Sequence, residues 1–179
     1  MSTITKFKLE LVGTKCNEYP QLTILHNRQV IYSGLIIEHT ILEFDITIDN
    51  HTVIMLQGIE KAQGENGKWD TQLDNDGHIV ADKSLSINNI WFNNIGMGQE
   101  WIRSLTFINN INQEKFSGAG WWNNGSISFS PQLPLLDWII QEKFIKFEHN
   151  QRELYSGIAK FDYEYVQQKI NLINQMLND

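Results

Sequence analysis

Asp70, Asp74, Asp76 and Asp82 form the one carboxylate cluster in this chain with the makings of a metal loop. Ca²⁺ takes about six to eight oxygen ligands, commonly carboxylates and carbonyls arranged around a sharp glycine turn. Asp74-Asn75-Asp76-Gly77-His78-Ile79 has the order of the middle of such a loop. In EF-hand register, however, the first ligand position is Gln72 and the last is Lys83, both wrong, and the flanks read as strands. That leaves an irregular site using Asp74, Asp76 and Asp82, set against a solvated hairpin tip with Gly77 in a left-handed conformation.

A second set is aromatic. Trp69 lies among polar, turn-forming residues, and Trp121-Trp122 follow Gly120 and precede Asn123. An indole in a polar loop can stack on the apolar face of a sugar while neighbouring Asp, Asn and Gln fix its hydroxyls. The candidate binding residues are therefore Trp69, Asp70, Trp121 and Trp122. Core or interface packing is the competing reading, and adjacent residues on a strand point to opposite faces, so one of the pair is expected inside. Enzyme signatures are thin. The five histidines lack metal-ligand spacing, and Gly96-Met97-Gly98, Ser33-Gly34 and Ser117-Gly118 are neither phosphate loops nor nucleophile elbows. Glu43 and Asp45 share one strand face, as a glycosidase pair could, but a solvated sheet gives the same pattern. No catalytic residue is assigned, and the chain is expected not to be an enzyme.

These residues need a scaffold, and the hydrophobic pattern supplies one. Phe7, Leu9 and Leu11 alternate with Lys8 and Glu10 up to Gly13. Leu22-Ile24 and Val30-Ile31-Tyr32 flank Asn27-Arg28, a two-residue hairpin turn. Leu42 to Ile48 has one apolar and one acidic-polar face, and Thr52 to Leu56 is apolar on both, as for a strand between two layers. Leu85, Ile87 and Ile90-Trp91-Phe92 make a strand with an irregularity at Asn88-Asn89. Leu105-Phe107-Ile108 and Ile127-Phe129 continue, before Pro131 and Pro134 close the run. Short strands with turn signals between them predict an antiparallel β-sandwich or jelly-roll. Leu135 to Phe147 then predicts an amphipathic helix, and Tyr163, Val166, Ile170, Ile173 and Leu177 form a helical stripe. The expected organisation is a sandwich domain over 1–134 and a C-terminal helical extension over 135–179.

At 179 residues with 41% hydrophobic residues and six Trp, the chain can bury a substantial core. A net charge of −7 argues against nucleic acid, which needs clustered cations. Cys16, the single cysteine, excludes an internal disulfide. No segment has the length of a signal peptide's apolar region or of a membrane span. Synthesis in a cytoplasm is the resulting expectation.

Several stretches resemble a group of uncharacterised tailed-phage proteins, especially from phages of cyanobacteria. They are Glu18-Tyr19-Pro20, Leu42-Glu43-Phe44, Gly64 to Thr71, Asp76 to Lys83 and Asp137-Trp138-Ile139-Ile140. The resemblance implies a phage origin and a virion role, and supplies no catalytic residue. A looser one is to calcium-dependent xylan-binding modules, small β-sandwiches with an Asp ahead of a strand carrying a second carboxylate. Here Asp82 matches the first Asp, while Ile87-Asn88-Asn89-Ile90 places an amide where the carboxylate would be.

The resulting expectation is a non-catalytic phage interaction module, a structural or decoration protein made in the host cytoplasm and then carried in the virion. Its partners would be other proteins or its own copies, or a glycan, with no nucleic acid and no membrane. No cofactor is expected, and calcium is the one candidate ion. The alternatives are a soluble ligand-binding protein of the infected cell and a glycan-cleaving enzyme.

Overall fold

In the computed structural model, residues 2–58, 70–118, 120, 121 and 124–143 are described. Alternation writes the first strand, β1 (Thr3–Thr14), whose Phe7, Leu9 and Leu11 are fully buried while Lys6, Lys8 and Glu10 face outward. β1 is flanked on both sides by antiparallel partners, β4 (Glu38–Ile48) and β8 (Ser84–Phe92). With β12 (Gly120–Trp121) beyond β8, the sheet runs β12-β8-β1-β4, and a short β9 (Ile95–Gly96) also pairs with β8. The second sheet runs β11-β10-β13-β5-β2-β3 and is antiparallel throughout. Its strands are β2 (Gln21–His26), β3 (Gln29–Leu35), β5 (Ile54–Gly58), β10 (Thr106–Asn109), β11 (Lys115–Ser117) and β13 (Gly125–Phe129).

The two sheets close on each other through one apolar core. Phe7 and Phe92 of the first sheet meet Phe129 of the second, each with ring centroids 6.3 Å apart. This is the antiparallel β-sandwich that the alternation predicts. The Asn27-Arg28 turn joins β2 to β3 with both residues at positive φ (49° and 70°), as a two-residue hairpin of this hand requires. The irregularity at Asn88-Asn89 is a bulge: Glu10 pairs with Asn89 but Leu11 with Ile87, which leaves Asn88 as the extra residue. That residue explains how Ile87 and Ile90, three apart, both point inward.

Three details differ from the sequence reading. β1 does not end at Gly13. That glycine is needed because the Ile36 carbonyl oxygen lies 2.0 Å from where a Cβ would be. The runs Leu42 to Ile48 and Thr52 to Leu56 belong to opposite sheets. β5, paired with β13 and β2, buries Ile54 and Leu56 on one face while Val53, Met55 and Gln57 are half-buried or exposed, so it does not lie between two layers. A short helix α1 (Gln99–Ser104) precedes β10 and buries Trp101 and Ile102. Six residues are too few for a periodic signal to emerge.

The chain divides into two compact units, residues 1–143 and Phe144–Asp179. Residues 135–143 are helical and belong to the first, with Trp138 and Ile139 buried in its core. The stripe from Tyr163 to Leu177 lies outside the described residues.

Candidate functional site

Between β5 and β8 the chain builds a hairpin that belongs to neither large sheet, β6 (Thr71–Leu73) with β7 (Ile79–Asp82). Its tip is shaped by Asp74. The Asp74 carboxylate oxygen Oδ1 accepts the backbone N–H groups of Asp76 (3.0 Å) and His78 (2.8 Å), and Gly77 N–H donates to the Asp74 carbonyl (3.1 Å). Gly77 has φ 88°, the left-handed conformation this turn requires and a Cβ would resist. The N–H groups aimed at the Asp74 carboxylate, that of His78 first, hold its pKa below the usual aspartate value.

Because that pKa is lowered, the tip's stabilisation is full above the unfolded aspartate pKa and is lost as pH falls through the folded value. The His78 amide resonance is therefore expected to titrate with a midpoint below 3.8, the ordinary aspartate value. In Asp74→Ala that titration should vanish. An unchanged titration in the variant would show that the carboxylate does not organise the tip.

The hairpin's base is built differently. Lys83 is buried and its ammonium is ion-paired with the Asp70 carboxylate; the two side chains are 5% and 13% exposed. Lys83 N–H also donates to the Asp70 carbonyl (3.2 Å), and Thr71 Oγ1 donates to Asp82 Oδ1 (2.7 Å). Asn17, at φ 62°, ties this base to the sandwich by donating to Asp70 Oδ1 and accepting from Gln72 Nε2, each at 3.4 Å. Between base and tip, Ile79 and Val80 are 65% and 61% exposed. Val80 is the extra residue of a bulge, since Gln72 pairs with Ala81 and Leu73 with Ile79, so two neighbouring apolar side chains are presented to solvent where the hairpin's ladder is broken.

The four aspartates are thus divided. Asp74 and Asp76 lie at the tip, Asp70 and Asp82 at the base, where Asp82 pairs with Thr71. The residue that joins the tip pair is His78: single ligand atoms of Asp74, Asp76 and His78 lie within 4.8 Å of one another, all on exposed side chains. Two carboxylates and an imidazole, with Asp74 Oδ1 already accepting two N–H groups, do not fill the oxygen shell of Ca²⁺ by themselves.

Of the tryptophans, Trp69 and Trp122 lie outside the described residues. The Trp121 backbone is in β12 and pairs with Leu85, two residues after Lys83. The start of β8 therefore brings together two regions remote in sequence, the hairpin base and the Gly120–Trp121 edge. Sequence reasoning gave no site role to Lys83, Asn17, His78, Ile79 or Val80, although His78-Ile79 and Lys83 lie in the stretch it weighed as a calcium loop. Lys83 left one trace: it precedes Leu85 and Ile87 at spacings of two, in phase with the buried face of β8.

No protein-family model matches this chain, and no curated protein matches its sequence. Among solved structures it has a distant resemblance to vCBM60. The selenomethionine form of that module, described with a circular permutation linking two families of calcium-dependent carbohydrate-binding modules, is 13% identical, covers 70% of this chain and 90% of its own, and has a TM-score of 0.42. The same module in complex with galactobiose is 12% identical over 70% of this chain and 97% of its own, at a TM-score of 0.41.

Proposed function

We propose that this protein is a non-catalytic binding module that recognises a glycan with the β6–β7 hairpin and the adjoining β12 edge. The observation that carries the reading is the pairing of Trp121 with Leu85, which sets a tryptophan-bearing edge two residues along β8 from the Asp70–Lys83 anchor. Carboxylates, amides and exposed apolar side chains on a hairpin held to a rigid sandwich suit a ligand that is polar at its edges and apolar on its faces. The carboxylates Glu43 and Asp45 lie on the outward face of the first sheet, where Glu43 is bonded to Lys6 at 3.0 Å. They share one strand and do not oppose each other across a cleft, as glycoside hydrolysis demands.

The test is a glycan panel, followed by melting of the protein with each hit in the presence and absence of millimolar Ca²⁺. A ligand of the native state must raise the melting temperature by mass action. Loss of one stacked indole, worth about 1.4 kcal/mol, should weaken a hit about tenfold in Trp121→Ala. Ser128→Ala, on the outward face of the other sheet, should leave affinity unchanged. An empty panel, or hits indifferent to Trp121→Ala, would sink the proposal. A place in a tailed-phage particle, which the sequence resemblance supports, belongs to the same reading and calls for the protein among the components of purified particles.

A further inference from the structure

We propose that two copies of this chain pair through their β4 edges, antiparallel about a two-fold axis at Ile41, so that the first sheet runs continuously through both. This does not rest on what the hairpin binds. Among the described residues β4 pairs with β1 on one side and with no strand on the other, where His26 Nε2 of β2 is bonded to the Thr47 carbonyl (2.8 Å) near the C-terminal end, outside the stretch centred on Ile41. At 11 residues it is long for an edge strand, and such an edge presents a row of unpaired N–H and C=O groups. Edges are commonly blunted by proline, brevity or charge; β4 has neither of the first two, and its carboxylates Glu38, Glu43 and Asp45 are charges that an occupant must match.

The side chains select the occupant and the register. His39, Ile41, Glu43 and Asp45 alternate on the outward face, and Ile41 is 54% exposed. About a two-fold at Ile41, that isoleucine lies against its own copy and each Glu43 lies opposite a partner's His39. The imidazole then sits between Glu43 of the other copy and Glu10 of its own, to which it is bonded at 2.7 Å, while Lys6 stands 3.0 Å from Glu43 on its far side. The three registers next along β4 are worse. An axis at Glu43 opposes that carboxylate to itself, one at Phe44 opposes Glu43 to Asp45, and one at Leu42 sets Ile41 against Glu43. Like charges directly opposite are destabilising. Leu42 and Phe44, only partly buried at this margin of the core, would be covered by the second copy.

Sedimentation of the full chain over a concentration series, with two cysteine variants, tests surface and register together. Directly opposed residues have Cα atoms about 4.5–5.5 Å apart, within the span of a disulfide. Ile41→Cys should therefore give a covalent dimer on mild oxidation. Thr47→Cys should not, because six residues from the axis at about 3.4 Å each it stands on the order of 40 Å from its copy. The native Cys16 is buried, which limits background. Ile41→Lys, which sets two ammonium groups at the axis, should be monomeric at every concentration and should melt where the wild-type chain does at dilutions that leave it monomeric. A wild-type chain that stays monomeric at every concentration would overturn the proposal, as would a dimer that survives Ile41→Lys or cross-links equally well through Thr47→Cys.

Discussion

Trp101→Ala is expected to remove about 3–5 kcal/mol of folding stability, the range for emptying a large aromatic from a packed core. The indole is buried where three parts of the chain meet. Its ring lies 5.5 Å from Phe129 of β13 and 6.0 Å from Trp138 of the helical segment 135–143, and Phe92 of β8 lies 5.5 Å from Trp138. All three contacts are near edge-to-face, with interplanar angles of 75° to 88°, the geometry that ring quadrupoles favour. Its Nε1–H donates to Glu142 at 2.8 Å, so one side chain fastens α1, the second sheet and that helical segment together. Trp101→Phe keeps most of the apolar volume and loses the donor. It should cost about 1.5 kcal/mol, the low end for a bond to a charged group, because Glu142 is partly solvated. Urea unfolding followed by circular dichroism distinguishes the two, the alanine variant shifting the midpoint by about 2 M for a typical urea slope. Equal losses in both variants would mean that the hydrogen bond, not the packing, carries the effect.

The second large effect is expected at the base of the hairpin. Lys83→Met retains most of the buried stem but strands the largely buried Asp70 carboxylate, a change that costs about 3–5 kcal/mol when a buried pair is broken from one side. Asp70→Asn with Lys83→Met removes both charges and should recover most of that loss, since well-packed neutral replacements of buried pairs are often close to neutral. A double-mutant cycle measures the coupling directly. Strictly additive losses would show that the ion pair does not anchor the hairpin. Hydrogen exchange adds a local readout: the β6–β7 amides should lose protection in Lys83→Met and regain it in the double variant.

The strands were legible because a half-buried sheet writes itself into sequence with a period of two. Phe7-Leu9-Leu11 and the Asn27-Arg28 turn needed nothing beyond that rule and the turn's demand for positive φ. Even the bulge at Asn88 was visible, since Ile87 and Ile90 break the period by one residue. α1 was not legible, because its burial of Trp101 and Ile102 depends on partners from β13 and the segment after Pro134. The metal reading failed to anticipate the division of the aspartates for a related reason. Spacing along the chain says which carboxylates are near in sequence, but the hairpin places Asp74 at one end and Asp82 at the other.

The sequence alone therefore determined the class of fold and most of its strands, since alternation and turn chemistry are local and each residue reports its own face. The tertiary structure alone decided the rest. It assigned Ile46 and Ile54 to opposite sheets, buried Lys83 against Asp70, brought the Trp121 edge beside the hairpin base, and left β4 at the sheet's margin. These are pairings between residues far apart in the chain. They are fixed by which surfaces can be buried together, which no local pattern encodes.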